Sequence, residues 1–198
     1  MSLTNTQLMD LSKRMHVPLH GVYFKSELIG MKVKHNVCYI INIQDELDEN
    51  GRENDGSHYT CLQSNKNVNG KVENIFFDSY GVPPCDEILK FLNVKHVPYN
   101  TVDIQSLQLS FCGWSCLAFL YWINVYEKRT GSLYHDCESF TELFEDLNKS
   151  SNHKHNEFVI KSFFRRTDPK IRAKYPVSVF GKGDIRQIAD PNTITKED

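Results

Sequence analysis

Hydrophobic positions along the chain follow helical spacing in some segments and strand spacing in others. Apolar residues at every third or fourth position predict a short helix over Asn5–Met15. The next segment, Val17–Leu28, contains a proline and a glycine, and we interpret it as a loop with a brief extended piece. Val37–Ile43 (VCYIINI) is a continuous apolar run, which is typical of a strand covered on both faces. The acidic segment Gln44–Gly56 that follows is predicted to be a solvated loop.

The middle of the chain is predicted to form a hairpin. Two strand-like runs, Ser57–Gln63 and Val72–Asp78, flank a turn-rich connector that ends in Asn-Gly. A hairpin centred on this connector places His58 across from Phe77 or Asp78. Directly opposed residues of an antiparallel pair have Cβ atoms ~4.5–5.5 Å apart, so we expect the imidazole and the carboxylate to lie within hydrogen-bonding reach.

The rest of the chain is predicted to be mainly helical. Proline at the first turn, with acidic residues close behind, predicts a helix over Pro84–Leu92. Ser110 offers an N-cap for a helix that runs to about Lys128, and this helix is apolar almost all round, so we expect it at the centre of the fold. Residues 1–168 should form one domain, and the polar segment 169–198 should be a tail that lies on the domain or is partly disordered. The other predicted elements are a strand over Tyr99–Ile104 and helices over Cys137–Leu147 and Asn156–Arg166.

Composition narrows the class of protein. With 198 residues, 40% of them hydrophobic and 12% aromatic, the chain can form one domain with a sizeable core. The formal net charge of −2 gives no reason to expect nucleic acid or an anionic membrane as a partner. The longest apolar run, Leu117–Ile123, is far shorter than the ~20 residues that span a bilayer, and the first residues lack the apolar stretch of a secretory signal. We therefore expect a soluble, intracellular protein.

The six cysteines could form disulfides or bind a metal. No two of them have CxxC spacing, and a chain of this length does not depend on disulfides, so we expect reduced thiols. Structural zinc usually has closely spaced ligand pairs, whereas the close pair here is CxxxC within an apolar helix. We predict neither a metal nor another cofactor, because this spacing disfavours a zinc site assembled from Cys112, Cys116, Cys137, His58 and His135.

One cysteine and one histidine are candidates for nucleophilic chemistry. Cys112 falls at the start of the buried helix, where main-chain N–H groups and the helix dipole stabilise a thiolate. Gly113, next to it, lets a substrate main chain approach closely. Cys116 is the alternative, but it lies a full turn inside the helix. His58 is the candidate base, because none of the other seven histidines faces a carboxylate in any pattern that we find along the chain.

A carboxylate and a side-chain amide complete this set. Asp78 would accept a hydrogen bond from the imidazole and stabilise its charged form, although an aspartate that ends a strand is also a common turn residue. Two glutamines could stabilise an oxyanion: Gln105, seven residues before Cys112, and Gln108, four residues before it. Composition does not distinguish between these two glutamines.

The order His58, Asp78, Gln105, Cys112 resembles that of the adenovirus-type maturation proteases. The motifs that carry the likeness are SHYTCL from residue 57, FFDSYG from residue 76 and QSLQLSFCGWSCLAFLYW from residue 105, and the likeness as a whole is spread over roughly residues 21–122. The likeness is greatest to proteases of Polinton/Maverick elements and of virophages such as mavirus, and proteases that trim ubiquitin-like proteins are related. It implies an α+β fold in which a small, mixed or mostly antiparallel sheet packs on a central buried helix with surrounding helices.

The resemblance also implies roles for individual residues. The family has a Cys-Gly pair at the helix start, as in Cys112 and Gly113, and an oxyanion glutamine at the spacing of Gln105. The main-chain N–H of Cys112 would be the second oxyanion donor. Where the family usually has tryptophan after the catalytic histidine, this chain has Tyr59, which we assign together with Gly113 to substrate and oxyanion support.

The activity implied by the resemblance is that of a monomeric cysteine endopeptidase. Its substrates would be viral capsid or other structural precursors cut at glycine-containing sites, in the virion or the host cytoplasm, and the sequence gives no need for nucleic acid. Alternatives are a protease that deconjugates a ubiquitin-like protein and a silent relative that binds capsid protein. In the tail, Val179–Gly183 is a candidate self-processing site or pseudo-substrate, and an ordinary surface turn is the alternative.

Overall fold

The computed structural model describes residues 3–45, 47, 50–52, 58–105, 111–127 and 129–164. Helix α1 (Asn5–Arg14) is one residue shorter than predicted. It begins at a capping box in which Thr4 accepts a hydrogen bond from the Gln7 N–H and Gln7 accepts one from the Thr4 N–H. This reciprocal pair satisfies two main-chain donors that the helix itself leaves unpaired. The helix buries Leu8 and Leu11, as their spacing predicts.

Four strands form one mixed sheet in the order β1-β2-β3-β4. The first strand is parallel to the second, and the other two pairs are antiparallel. Val17–Leu28 is more ordered than predicted, because its extended piece is a six-residue strand and Lys25–Leu28 forms a 3-10 helix. The strands are β1 (Leu19–Phe24), β2 (Val37–Asn42), β3 (Tyr59–Lys66) and β4 (Val72–Phe77).

Helices follow the sheet in the described part of the chain, and the α+β class is confirmed: α2 (Asp86–Leu92), α3 (Cys112–Asn124), α4 (Leu133–Thr141) and α5 (Ser150–Ser162). Three predicted helix starts are wrong, and α4 also ends at Thr141 instead of at Leu147. Helix α2 has Cys85 as its N-cap, so Pro84 precedes the helix instead of opening it. Helix α4 begins four residues early, because the Ser132 side chain accepts a hydrogen bond from the His135 N–H. Helix α5 begins six residues early, in a polar stretch without apolar periodicity.

Helix α3 lies at the centre of the fold, as its all-round apolar sequence predicts. Ten of its 13 residues are buried, and it contacts β2 and β3 as well as α1, α4 and α5. On this side of the sheet, Phe119 stacks on Phe77 of β4 with ring centroids 4.4 Å apart. A smaller cluster, which includes Tyr39, Leu62 and residues of α2, covers the other side. Strand β2 is therefore buried on both faces, which confirms the interpretation of its continuous apolar run.

The β3–β4 hairpin is confirmed, but its register differs from the prediction. Strand β3 extends three residues further than predicted, which places Cys61 opposite Phe77. The connector is shaped by Asn67, whose side chain accepts hydrogen bonds from two main-chain N–H groups at 3.0 and 2.9 Å. The predicted hairpin is centred too early in the chain. Its placement of His58 directly across from Phe77 or Asp78 is therefore wrong.

The strand predicted over Tyr99–Ile104 is also wrong. In this segment a single parallel bridge between Tyr99 and Phe76 forms, and no strand follows it. The side chain of Asn100 instead accepts a hydrogen bond from the Asp78 N–H at 2.9 Å and donates one to the Asp78 carbonyl at 2.7 Å. A polar side chain thus takes the main-chain partners at the end of β4 that another strand would have used.

Several predicted features lie outside the described residues. They are the N-cap at Ser110, the helix end at Lys128, and the tail over residues 169–198 with its segment Val179–Gly183. Within the described residues, α3 has Phe111 as its N-cap and ends at Asn124. No helix of the described part of the chain is long and apolar enough to cross a membrane.

Gly81 occupies a position at which the fold should not accept a side chain. Its φ is +68°, and a Cβ atom there would lie 2.8 Å from the main-chain carbonyl carbon of Thr101. We expect Gly81→Ala to lower the free energy of unfolding by about 2–4 kcal/mol, because left-handed strain and overpacking add. Gly131→Ala is the matched control, since Gly131 has φ +84° and open space around the Cβ position. Urea unfolding should show a loss of about 1–2 kcal/mol for the control, and equal losses would contradict the packing argument.

Candidate active site

His58 and Asp78 form a buried hydrogen-bonded pair at one end of the β3–β4 hairpin. His58 immediately precedes β3 and Asp78 immediately follows β4. The distance between His58 Nε2 and Asp78 Oδ2 is 2.8 Å, and the residues are 7% and 2% exposed. If the ladder is extended by one pair, Asp78 falls opposite Thr60, so His58 is its diagonal neighbour. Diagonal neighbours are within reach of long side chains, which explains how the expected contact forms in a different register.

The carboxylate of Asp78 is held on both sides. Its Oδ1 accepts a hydrogen bond from the Tyr80 N–H at 2.6 Å, which leaves Oδ2 for the imidazole. Its main chain is fixed by the two hydrogen bonds to Asn100. The two interpretations of this aspartate are therefore compatible: one oxygen shapes the turn, and the other orients the histidine.

Cys112 is the first residue of α3 and is 4% exposed. The Tyr59 N–H donates a hydrogen bond to its sulfur over 3.4 Å, so Cys112 lies beside the residue that follows His58. A main-chain donor at the sulfur and the positive end of a 13-residue helix both favour a negative charge there. The structure thus brings Cys112, His58 and Asp78 together at the ends of three elements.

The electrostatic state of His58 follows from these neighbours. Burial is the largest influence and acts to lower the pKa of His58, but the hydrogen bond to Asp78 and the attraction to Asp78 and Cys112 outweigh it, and the pKa is raised to about 9. Its Nδ1 is buried and makes no hydrogen bond of ordinary geometry to any described residue. With Nε2 occupied by Asp78, Nδ1 is the nitrogen left for a proton exchanged with the thiol.

Gln105 is anchored to the turn that carries Asp78. It is 1% exposed; its Oε1 accepts a hydrogen bond from the Ser79 hydroxyl at 3.0 Å, and its Nε2 donates one to the Tyr80 hydroxyl at 3.3 Å. Its main-chain N–H also contacts the Ser79 carbonyl at 3.2 Å. The structure therefore places Gln105 in the same assembly as the histidine, through Tyr80. The competing Gln108 lies outside the described residues.

Tyr80 is a residue of this site that the sequence reasoning missed. Its ring lies over the imidazole of His58, with centroids 4.6 Å apart and planes inclined by 32°. Its N–H contacts Asp78 and its hydroxyl accepts from Gln105, so it touches three of the four predicted residues. A ring face next to a protonated imidazole is also favourable electrostatically. The register was the missing signal, because extending the observed ladder places Tyr80 opposite His58.

Tyr59 and Gly113 pack the N-terminal helix onto the site. The Tyr59 hydroxyl donates a hydrogen bond to Asn5 Oδ1 at 2.6 Å, and the residue is 6% exposed. A Cβ atom on Gly113 would lie 3.2 Å from Leu8 Cδ2 and 3.5 Å from the Tyr59 ring. The missing side chain of Gly113 thus makes room for α1 and for Tyr59. The expected role of both residues in admitting substrate stays a prediction.

The residues of the alternative zinc site do not all lie together. His135 lies on α4, has 68% of its side chain exposed, and pairs with Glu138 through Nδ1 at 3.3 Å. Among the described residues, no group of three or more His, Cys, Asp or Glu side chains could hold a metal ion. All six cysteines are free thiols in the structure.

Neither of two cavities next to α4 nor the sequence comparisons locate the site independently. Two cavities of about 370 and 410 Å³ lie between β4 and α4, and none of the four predicted catalytic residues lines them. No protein-family model matches the chain, and no curated protein matches it significantly. The candidate site therefore depends on the chemistry and geometry of its own residues.

The charge of His58 gives the first test of this site. Asp78→Asn removes the partner charge, so we expect the His58 pKa, measured by NMR on the ring, to fall from about 9. The pKa in the folded protein lies above the unfolded value of 6.5, so His58 stabilises the fold below pH 6.5 and this contribution is lost as the pH rises through about 9. That pH dependence of the unfolding free energy should flatten in Asp78→Asn. Glu138→Gln, which alters the exposed His135 pair, is the control, and a His58 pKa that is the same in both variants would contradict the assignment.

Proposed function

We propose that the protein is a cysteine endopeptidase in which Cys112 is the nucleophile and His58 the acid and base. The observation that carries this proposal is the buried 2.8 Å contact between His58 and Asp78 next to a cysteine at a helix start. Nucleophile, base and orienting carboxylate are the three components that a thiol hydrolase needs. Each comes from a different element end, which leaves the reacting sulfur at their junction.

The reaction would proceed through a thioester. His58 takes the proton of the Cys112 thiol, and the thiolate attacks the carbonyl carbon of the scissile peptide. The imidazolium then gives its proton to the leaving amine as the C–N bond breaks, and the acyl group remains on sulfur. Water, deprotonated by His58, attacks the thioester and releases the acid and the thiol. Asp78 keeps the imidazole oriented and stabilises its charge in both half-reactions.

The oxyanion would be stabilised by Gln105 together with the Cys112 N–H. The support for Gln105 is its position: it is buried, tied to Ser79 and Tyr80, and carries an amide N–H₂ that can donate two hydrogen bonds. Tyr80 accepts one of these, which holds the amide in one orientation. A donor fixed in advance costs no reorganisation when the negative charge develops.

The substrate class is proposed from the resemblance to adenovirus-type proteases. A mixed sheet against a central helix that begins with the nucleophile is compatible with their fold. On this basis the substrates are capsid or other structural precursor proteins, cut at glycine-containing sites in the virion or the host cytoplasm by a monomeric enzyme. A narrow cleft that excludes Cβ atoms would produce the glycine preference.

Peptide hydrolysis by variants in which one cysteine is replaced tests the function. Wild-type protein is incubated with peptides that have a Gly-X-Gly core and with alanine-substituted versions, and the products are measured by mass spectrometry. We expect cleavage of the glycine peptides and complete loss in Cys112→Ala, because this variant lacks the proposed nucleophile. Cys38→Ala, which removes a fully buried thiol of β2, is the matched control and should stay active. Equal loss in both variants, with both folded by circular dichroism, would contradict the proposal.

The oxyanion assignment has its own test. Gln105→Ala should lower turnover by roughly 10²–10³, the usual effect of removing one oxyanion donor. Gln105→Glu keeps the size of the side chain but removes both donors, so it should be at least equally slow. Wild-type rates in these variants, combined with an inactive Gln108→Ala, would transfer the role to Gln108.

A further inference from the structure

Tyr59, the first residue of β3, lies opposite Asn42 of β2 and has no partner in β4, and its main-chain N–H and carbonyl bond to two thiols of helix α3. The β3–β4 ladder stops at Cys61 opposite Phe77, two residues after Tyr59. The Tyr59 N–H donates to the sulfur of Cys112 at 3.4 Å, and the Tyr59 carbonyl accepts a hydrogen bond from the Cys116 thiol at 3.3 Å. Buried main-chain groups require partners, and at this strand end two thiols supply them.

The spacing of the two thiols along α3 allows both of them to bond to the main chain of Tyr59. Cys112 and Cys116 are one turn apart on the same face of α3, separated by ~6 Å along the axis. A third sulfur contact runs between the same two elements, because the Cys61 thiol donates to the Cys116 carbonyl at 3.8 Å. Cys61 and Cys116 are both 0% exposed. Burial, followed by its neighbour Cys61, raises the pKa of the Cys116 thiol well above its ordinary value, so the thiol keeps the proton that it donates.

The hydrogen bond between the Cys116 thiol and the Tyr59 carbonyl also affects the position of His58, the residue before β3. His58 precedes Tyr59, and its carbonyl accepts a hydrogen bond from the Ile43 N–H at 3.1 Å, while its ring is bonded to Asp78. The hydrogen bond from Cys116 to Tyr59 holds the start of β3 against helix α3. A shift of Tyr59 along α3 would move its N–H away from Cys112 and the His58 ring with it.

We propose that Cys116 is a positioning residue for the Cys112–His58 pair, acting through the carbonyl of Tyr59. Its thiol holds Tyr59 so that the Tyr59 N–H donates to the Cys112 sulfur and His58 stays beside it. The inference rests on the proposed hydrolase function for its catalytic meaning, but the geometry it invokes is independent of turnover. The role requires a hydrogen-bond donor at position 116, and a small apolar side chain that only fills the space does not meet that requirement.

Alkylation of Cys112 by iodoacetamide in the folded protein, quantified by mass spectrometry of its peptide, tests this role. Cys116→Ala and Cys116→Val both lack a donor, and Val avoids a large cavity. In both variants we expect Cys112 to be alkylated about three- to tenfold more slowly than in the wild type, the scale of one lost hydrogen bond. Cys116→Ser retains a donor and should recover most of the loss. Cys137→Ala removes another buried core thiol and controls for general loosening of the core.

The outcomes separate this inference from the proposed function. Alkylation in Cys116→Ala and Cys116→Val that equals that of Cys137→Ala overturns the positioning role, and so does a serine variant as slow as the alanine variant. Peptide turnover by the wild type is measured in parallel. Slow alkylation in the donor-free variants without any turnover by the wild type supports the positioning role and contradicts the protease. Turnover by the wild type together with unchanged alkylation in the donor-free variants supports the protease and contradicts the positioning role.

Discussion

The hydrogen bond between His58 and Asp78 is the interaction on which the rest of the site depends. It joins the residue before β3 to the residue after β4, beyond the last pair of the ladder. Both residues are almost fully buried, so neither could be hydrated by bulk water if the pair were separated. Leaving one buried charge without its partner costs about 3–5 kcal/mol in comparable cases. The fold therefore maintains the pair, and the pair fixes the plane and charge of the imidazole.

The site is assembled from the ends of elements because strand and helix ends leave main-chain groups unpaired. At the end of β4, Asn100 and the Asp78 carboxylate take these groups, and at the start of β3 two thiols of α3 do so. The side chains that cap these ends thus include Asp78 and Cys112, two residues of the site. Tyr80 closes the arrangement, since its ring covers His58 and its hydroxyl holds Gln105. The same hydrogen bonds support local structure and orient the reactive groups.

Sequence patterns were sufficient for the elements that depend on burial and insufficient for those that depend on a single polar side chain. The continuous apolar run of β2 and the all-round apolar helix α3 predicted their central positions, because burial on every side leaves a strong signal. The hairpin register was wrong because Asn67 reshapes the connector, and the strand predicted from Tyr99 was wrong because Asn100 bonds to the main chain of Asp78. Tyr80 was missed for the same reason, since its place over His58 follows from the register.

The most direct test of the central claim is a search for the acyl-enzyme. The protein is mixed with a glycine-containing peptide ester, quenched with acid within milliseconds to seconds, digested and mapped by mass spectrometry. If Cys112 is the nucleophile and His58 its base, an acyl adduct forms on Cys112 before free acid accumulates and then decays. His58→Ala should form this adduct far more slowly. Hydrolysis of the ester with no adduct on Cys112, or with the acyl group on another cysteine, would contradict the account.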